Sequence, residues 1–348
     1  MSRATRFLDA CRRRPVDATP IWIMRQAGRY LPDYRAVRER VSFLELCNTP
    51  ELAAEVTLQP VDQLGVDAAI IFSDIMVPAM AMGAEVSFDD GPPRLATPVR
   101  DRSGVDALVV PDPTETCRSV LDAIRITRAE LDGRVPLIGF AAAPWTLATY
   151  MVDGGPSKAF RFSKAMAFGA PDPWNRLVDK IVETTIAYLS AQVEAGAGAV
   201  QLFDTWAGVL SPADYEGVAL PGARRIIEGL GDLGVPILYF PRGAGQMFDR
   251  VATCGADVIG LDWTIDIAKA RRALGDRIAV QGNLDPAALF LDPLEIERRA
   301  ERILRDAGAA PGHIFNLGHG ILPQTPPEHA RALVDVVHGF RRADEGAP

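Results

Sequence analysis

The chain has 348 residues, 48% of them hydrophobic and 24% charged, and its 37 Lys and Arg against 45 Asp and Glu give a formal net charge of -8. That is the composition of a globular protein with a large core, and the acidic balance excludes a general nucleic-acid surface, so any anionic ligand must be held by local arginines. No run reaches the ~18 apolar residues of a membrane span, and the opening MSRATRFLDACRRRPVD has no apolar leader pattern, so a cytoplasmic protein with neither a membrane nor a nucleic-acid partner is expected.

Short β-rich runs, each followed by a polar cluster and then a helical pattern, occur at 20–24, 68–72, 136–140, 199–203, 236–240, 257–261, 278–280 and 313–317. Repeated βα units predict a parallel sheet. Near-continuous apolar runs such as AAIIF mark strands buried on both faces. Eight units predict an α/β fold, a single (β/α)8 TIM barrel forming one domain over 1–348. A doubly wound open sheet fits the same alternation, but no G-x-G-x-x-G follows the first run.

Directly after that first run, MRQAGRYLPDYRAVR gathers Arg25, Arg29, Arg35 and Arg38. Guanidinium is a planar fork that grips carboxylate or phosphate and does not deprotonate, so the cluster suggests a polyanion receptor. The alternative is a salt-bridged surface loop. Farther along, Thr49-Pro50, Ser211-Pro212 and Asp285-Pro286 each place a capping side chain before a proline at a helix start, and Thr325-Pro326-Pro327-Glu328 fits a capping box. Two insertions decorate the barrel: AEVSFDDGPPRLATPVRD, which reads as a hairpin, and a long helical stretch at 156–196.

In such barrels chemistry sits at the C-terminal ends of the strands. Here Arg25, Asp74, Thr205, Arg242, Asp262, Asn283 and His319 occupy those ends, although any one of them also suits a turn or a cap. Asp74 is the sharpest, because a carboxylate ending the apolar run IIFSD is expensive to bury unless it meets an arginine or awaits a ligand. His319, flanked by Gly318 and Gly320, has little side-chain cover and is a candidate to face the cavity. Tyr150 and Thr205 offer hydroxyls beyond the third and fourth strands, where packing and capping are the competing roles. Cys11, Cys47, Cys117 and Cys254 are widely spaced, and His313, His319, His329 and His338 form no H-E-x-x-H or H-x-C pattern, so zinc of a known motif type is not expected.

The chain resembles the uroporphyrinogen decarboxylase family through PIWIMRQAGRYLPDYR, FSDIMVPAMAMG, GFAAAPWTLATYMV, FDTWAG, FPRGAG, VIGLDW, QGNLDP and HIFNLGHGILPQTPP, in order and over nearly its whole length. The first and last segments are highly specific; FDTWAG alone is not. The resemblance implies a single (β/α)8 barrel, a homodimer with adjoining clefts, and removal of the four acetate carboxyls of uroporphyrinogen III to give coproporphyrinogen III, with neither metal nor organic cofactor. It places the substrate-binding segment on Arg25, Gln26, Ala27, Gly28 and Arg29, the essential aspartate on Asp74, a tyrosine on Tyr150 and a histidine on His319. Arg38 matches an arginine proposed in the family as proton donor. Thr205 stands where the family often has serine, and Tyr34 where it often has phenylalanine.

Two other functions compete. Corrinoid-linked methyltransferases share this barrel but need a thiol and imidazole zinc site. A porphyrin or haem carrier would use His319 as an axial ligand and the arginines on propionates, yet it leaves Asp74 without a role.

Overall fold

The computed structural model describes residues 3–88 and 91–341. Among the described residues there are nine strands: β1 (Ala69–Ile70), β2 (Val86–Ser87), β3 (Arg94–Leu95), β4 (Leu137–Ala142), β5 (Ala199–Asp204), β6 (Ile237–Pro241), β7 (Val258–Gly260), β8 (Ala279–Gln281) and β9 (His313–Ile314). Seven of them form one parallel sheet in the order β1-β4-β5-β6-β7-β8-β9. Consecutive βα units lie side by side, as right-handed crossovers require. The hairpin is β2 against β3, antiparallel, with Val86 opposite Leu95; Asp89 and Asp90 at its tip lie outside the described residues.

The run at 20–24 is shorter than the other barrel strands, and it closes the sheet through a single parallel bridge, Ile21 to Phe315. The physical reason is its other edge, where part of the ladder is replaced by a side chain. Asp67 donates its backbone N–H to Ile21 O at 2.7 Å, and its carboxylate accepts Ile21 N–H at 2.9 Å. That carboxylate is fully buried and also meets Arg6 at 2.8 Å and His338 Nε2 at 2.6 Å. The first helix (Arg3–Cys11), the closing segment and the last helix (Pro327–Gly339) are thus tied to one acid.

Inside the barrel the side chains stack in layers. Trp22 Nε1 donates to Gln281 Oε1 at 2.7 Å, and Gln281 Nε2 donates to Gln201 Oε1 at 3.2 Å. Beside and beyond Gln201 the lining turns aromatic: Phe140 and Phe203 are 5.7 Å apart, Phe203 and Phe240 6.3 Å. These rings floor the C-terminal mouth. Outside, the 25-residue helix Pro171–Ala195 sends buried Gln192 onto the strand backbone, bonding both Phe140 N and Phe140 O at 2.9 and 3.0 Å; Gly139 is required there, since a Cβ would lie 2.4 Å from Gln192 Oε1.

Of the expected helix starts, Ser211 caps Asp214 N as read, and Asp285 caps Ala287 N, although it opens a 3-10 turn (Pro286–Phe290). Two expectations fail. Thr49 precedes its helix but turns back to donate to Glu45 O at 2.8 Å, and the helix after Thr325 starts at Pro327 with Pro326 as its cap, leaving Thr325 uninvolved. A capping box does form at Ser42 and Glu45.

Removing the buried acid strands Arg6 and an Ile21 N–H, so Asp67→Ala is expected to lower stability by about 3 kcal/mol. Chemical denaturation measures this; a loss under about 1 kcal/mol would show that the seam closes without it.

Candidate active site

The segment after the closing strand is held in place mostly by its own buried groups. Met24 N–H donates to Asn316 Oδ1 at 3.0 Å, and Gln26, fully buried, accepts from Ile23 N and donates to Ala68 O, both at 3.0 Å. Tyr30 OH reaches Gln26 O at 2.8 Å. Gln26 therefore spends its side chain on the fold, and Ala27 and Gly28 present backbone. A Cβ on Gly28 would lie 2.9 Å from Arg25 O, so the turn needs glycine there. Arg25 itself adopts a left-handed φ of 65° and is exposed, which throws its guanidinium into the mouth instead of along the strand. Arg29 is also exposed.

Two other arginines of the cluster act differently. Arg35 braces the loop, donating to Arg29 O at 2.9 Å and Tyr30 O at 3.0 Å. Arg38 donates to Val41 O and lies 6.0 Å from the Phe43 ring. Its charge reaches Tyr34, whose hydroxyl burial pushes up and Arg38 pulls back, and Cys47, raised to about 12 by burial and Asp74. Tyr34 packs on Phe72 at 5.6 Å, two residues before Asp74.

Asp74 follows β1, next to the closing segment, so its carboxylate and Arg25 come from neighbouring strand ends. It is half-buried, with a lip open to the mouth, but its carboxyl group is deep enough that burial pushes its pKa up to about 6 against the Met76 N–H bond (2.8 Å) and the Arg25 charge. Among the described residues it has no ion-pair partner. Tyr150 lies on the same cavity: burial and the Asp74 charge both raise its pKa, and Arg25 lowers it. Its helix, Pro144–Asp153, is pinned at the far end by the hairpin, through Leu95 N to Gly154 O at 3.0 Å.

His319 stacks on Phe240 at 6.3 Å and 21°. Burial, then the Arg25 and Arg242 charges, lower its pKa to about 3 against the pull of Asp262, so it stays a neutral imidazole. Its Nδ1 is buried and makes no hydrogen bond among the described residues. The flanking glycines explain the approach: a Cβ on Gly318 would meet Trp263 N at 2.3 Å, and one on Gly320 would meet Arg25 Cδ at 2.4 Å. Thr205, half-buried, lines a cleft of about 220 Å³ with Trp206, Arg242 and Trp263.

Arg25 thus lies within charge range of Asp74, Tyr150 and His319, Arg38 lies on the Tyr34 side, and Thr205 lines the cleft that holds Arg242 and Trp263. Asn283 is absorbed by the fold, donating to Asp262 O and Ile265 O at 2.9 and 2.7 Å. Sequence reasoning passed over Asp204, which faces the helix layer and bonds Thr146 Oγ1 (2.7 Å) and Tyr239 OH (2.9 Å), burial raising its pKa to about 6. Thr146 in turn accepts Trp206 N–H at 3.2 Å, so Asp204 supports the loop that carries Thr205 and Trp206. Alternation was the available signal, since Phe203 faces inward and its neighbour must face out. No group of three or more His, Cys, Asp or Glu fit to hold a metal occurs among the described residues, and no described helix is long and apolar enough to cross a membrane.

A family model described as Uroporphyrinogen decarboxylase (URO-D) matches residues 2–340. The uroporphyrinogen decarboxylase of Syntrophotalea carbinolica is 57% identical over 332 residues, covering 95% of this chain and 96% of that one. That of Geobacter metallireducens is 55% identical over 333 residues, covering 96% and 98%. Among solved structures, a methyltransferase from Methanosarcina mazei superposes with a TM-score of 0.82 over 97% of this chain and 98% of that one, at 23% identity, which shows the shared fold.

An acid with a raised folded pKa binds protons that the unfolded chain releases, so Asp74 contributes stability below about pH 4 and loses it as pH rises through 6. Asn does not titrate. Asp74→Asn is therefore expected to be more stable than the wild type at pH 8, by about 2 kcal/mol once the partly open mouth is allowed for, and equally or less stable near pH 4. Denaturation at both pH values measures it; a destabilised variant at pH 8 would make Asp74 a structural acid.

Proposed function

The chain belongs to the uroporphyrinogen decarboxylase family, and from that premise we propose that Asp74 is the group on which its decarboxylation turns. The activity is that of a carboxy-lyase: the four acetate side chains of uroporphyrinogen III leave as CO₂, and coproporphyrinogen III remains. The observation that carries the assignment is a deep carboxylate with no ion pair, open on one side to a mouth that also holds Arg25, Tyr150 and a neutral His319.

Loss of CO₂ needs a place for the electron pair of the breaking C–C bond, a task many enzymes give to a cofactor. A pyrrole ring supplies one when its α-carbon is protonated and the ring becomes an iminium-like cation. The acetate C–C bond then breaks, its electrons fill the ring, CO₂ departs and an exocyclic methylene forms. Protonation of that methylene gives the methyl group, and the ring gives back the proton from its α-carbon, so each round consumes one proton. Asp74, ionised above about pH 6, accepts the pyrrole N–H groups and stabilises the cation as it develops. Arg25 and Arg29 take substrate carboxylates in bidentate fashion, with the backbone of Gln26, Ala27 and Gly28 shaping the turn between them. Tyr150 and Thr205 offer hydroxyls to further carboxylates, and the Phe140, Phe203 and Phe240 rings supply an apolar floor for the macrocycle.

His319 reads as an uncharged hydrogen-bonding partner for substrate, because an imidazole lowered to about 3 is a poor source of protons at neutral pH. Arg38 stays within charge range of Tyr34 and Cys47 and orients a carboxyl group or a water at that end; an arginine is too weak an acid to be the ready proton donor. Tyr34 lends it an aromatic wall. The reading extends to a single barrel domain over 1–348, supported by one continuous apolar core, and to a cytoplasmic homodimer with adjoining clefts, supported by four buried free cysteines and by exposed Phe168, Phe290 and Leu294.

Asp74→Asn is expected to lower kcat at least 100-fold with a smaller change in KM, and the wild-type kcat/KM to fall below about pH 6 as the free enzyme's Asp74 takes up its proton. Steady-state assays across pH 5 to 8 measure both; full turnover in the variant would remove Asp74 from the reaction.

A further inference from the structure

A second guanidinium near the mouth has no ion-pair partner among the described residues. Arg242 leaves the end of β6, half-buried; its guanidinium lies 5.3 Å from the Trp263 ring and makes no side-chain hydrogen bond or ion pair among the described residues. The carboxylate on the same cleft, Asp262, is engaged by backbone and hydroxyl donors: Oδ2 accepts Gly243 N–H at 2.6 Å, and Oδ1 accepts Thr264 N–H at 2.8 Å and Thr264 Oγ1–H at 2.5 Å. The loop is also fixed in place. Gly208 N–H donates to Arg242 O at 2.8 Å, Arg242 N–H donates to Asp204 O at 3.1 Å, and Gly208 and Gly243 touch so closely that a Cβ on either would lie within 3 Å of the other's Cα. A preformed backbone thus holds a cation with no ion-pair partner among the described residues beside an open cleft of about 220 Å³, room for several waters at roughly 30 Å³ each or for one short carboxylate arm.

That cleft borders the site already described at the His319 loop. His319 sits with Gly320 against the Arg25 side chain and Gly318 against the Trp263 backbone, and it feels the charge of both Arg25 and Arg242. Two cations therefore flank one neutral imidazole, one on the Asp74 side and one away from it.

Resting on the decarboxylase reading above, we propose that Arg242, with the Thr205 hydroxyl on the same cleft, forms a second carboxylate subsite that takes a propionate of the substrate. A propionate survives every round, so a subsite remote from Asp74 can hold the macrocycle while successive acetates are presented for cleavage. Trp263, 37% exposed, backs the guanidinium and keeps its fork turned to the cleft. Arg242 is then a binding residue that acts equally in ground and transition states.

The test compares wild type, Arg242→Gln and Arg242→Lys on the eight-carboxylate uroporphyrinogen and on the five-carboxylate intermediate, which keeps every propionate and only one acetate. Arg242→Gln is expected to raise KM about tenfold or more on both substrates with kcat within about twofold, Arg242→Lys to recover part of the loss, and both variants to melt with the wild type. An unchanged KM overturns the proposal. So does a rise confined to the eight-carboxylate substrate, which would assign the arginine to an acetate, and so does a glutamine variant that fails to fold, which would make the guanidinium structural. Failure of the underlying reading looks different, because wild-type turnover itself is then missing.

Discussion

A carboxylate and a guanidinium face each other across the closing seam of the barrel without forming an ion pair. Most of the site follows from that constraint. Asp74 and Arg25 come from adjacent strand ends, close enough for the charge of Arg25 to draw down the pKa of Asp74, yet burial wins and leaves the acid near 6. A fully neutralised Asp74 would be stable and inert. Left short of a partner, it is poised for donors that arrive with the ligand, and pyrrole N–H groups are such donors. The unpaired state carries a cost in stability at neutral pH, one that a folded protein tolerates where binding and chemistry depend on it.

The seam itself is secured from the opposite end of the barrel. Asp67 lies fully buried among Arg6, His338 and the Ile21 N–H, so the two ends of the chain clamp the strand that leads into Arg25. Gln26 then locks the turn by bonding the backbone on both sides, and Arg35 staples it from outside. The arginine-rich segment is in this sense divided: Arg35 and Gln26 build the loop, and Arg25 and Arg29 are what the loop presents. The neutral His319 and the aromatic floor complete a mouth that offers a few fixed cations while the protein as a whole stays acidic.

The barrel was legible because strands buried on both faces leave long apolar runs, and because each ends in a turn rich in glycine or polar residues. Asp74 was legible by the same logic, as a charge at the end of IIFSD. What was hidden depends on contacts far apart in sequence. Asp67 looks like a turn residue in GVDAAI until Arg6 and His338 arrive from the two ends of the chain. The shortness of the first strand follows from that side-chain substitution and has no local sequence signal. Thr325 has the spacing of a capping box, yet two prolines take the start of the helix. Arg242 could be named as a strand-end residue, but its lack of an acid is visible only once Asp262 is seen bonded to Gly243 and Thr264.

The claim at the centre is that this mouth converts its ligand and does not merely hold it. Purified, chelator-treated protein incubated anaerobically with uroporphyrinogen III, followed by chromatography of the oxidised porphyrins, tests it most directly. The account predicts seven-, six-, five- and four-carboxylate species appearing in succession without any added cofactor. Stable binding of the eight-carboxylate compound with no loss of CO₂ would contradict it and leave a tetrapyrrole carrier in its place.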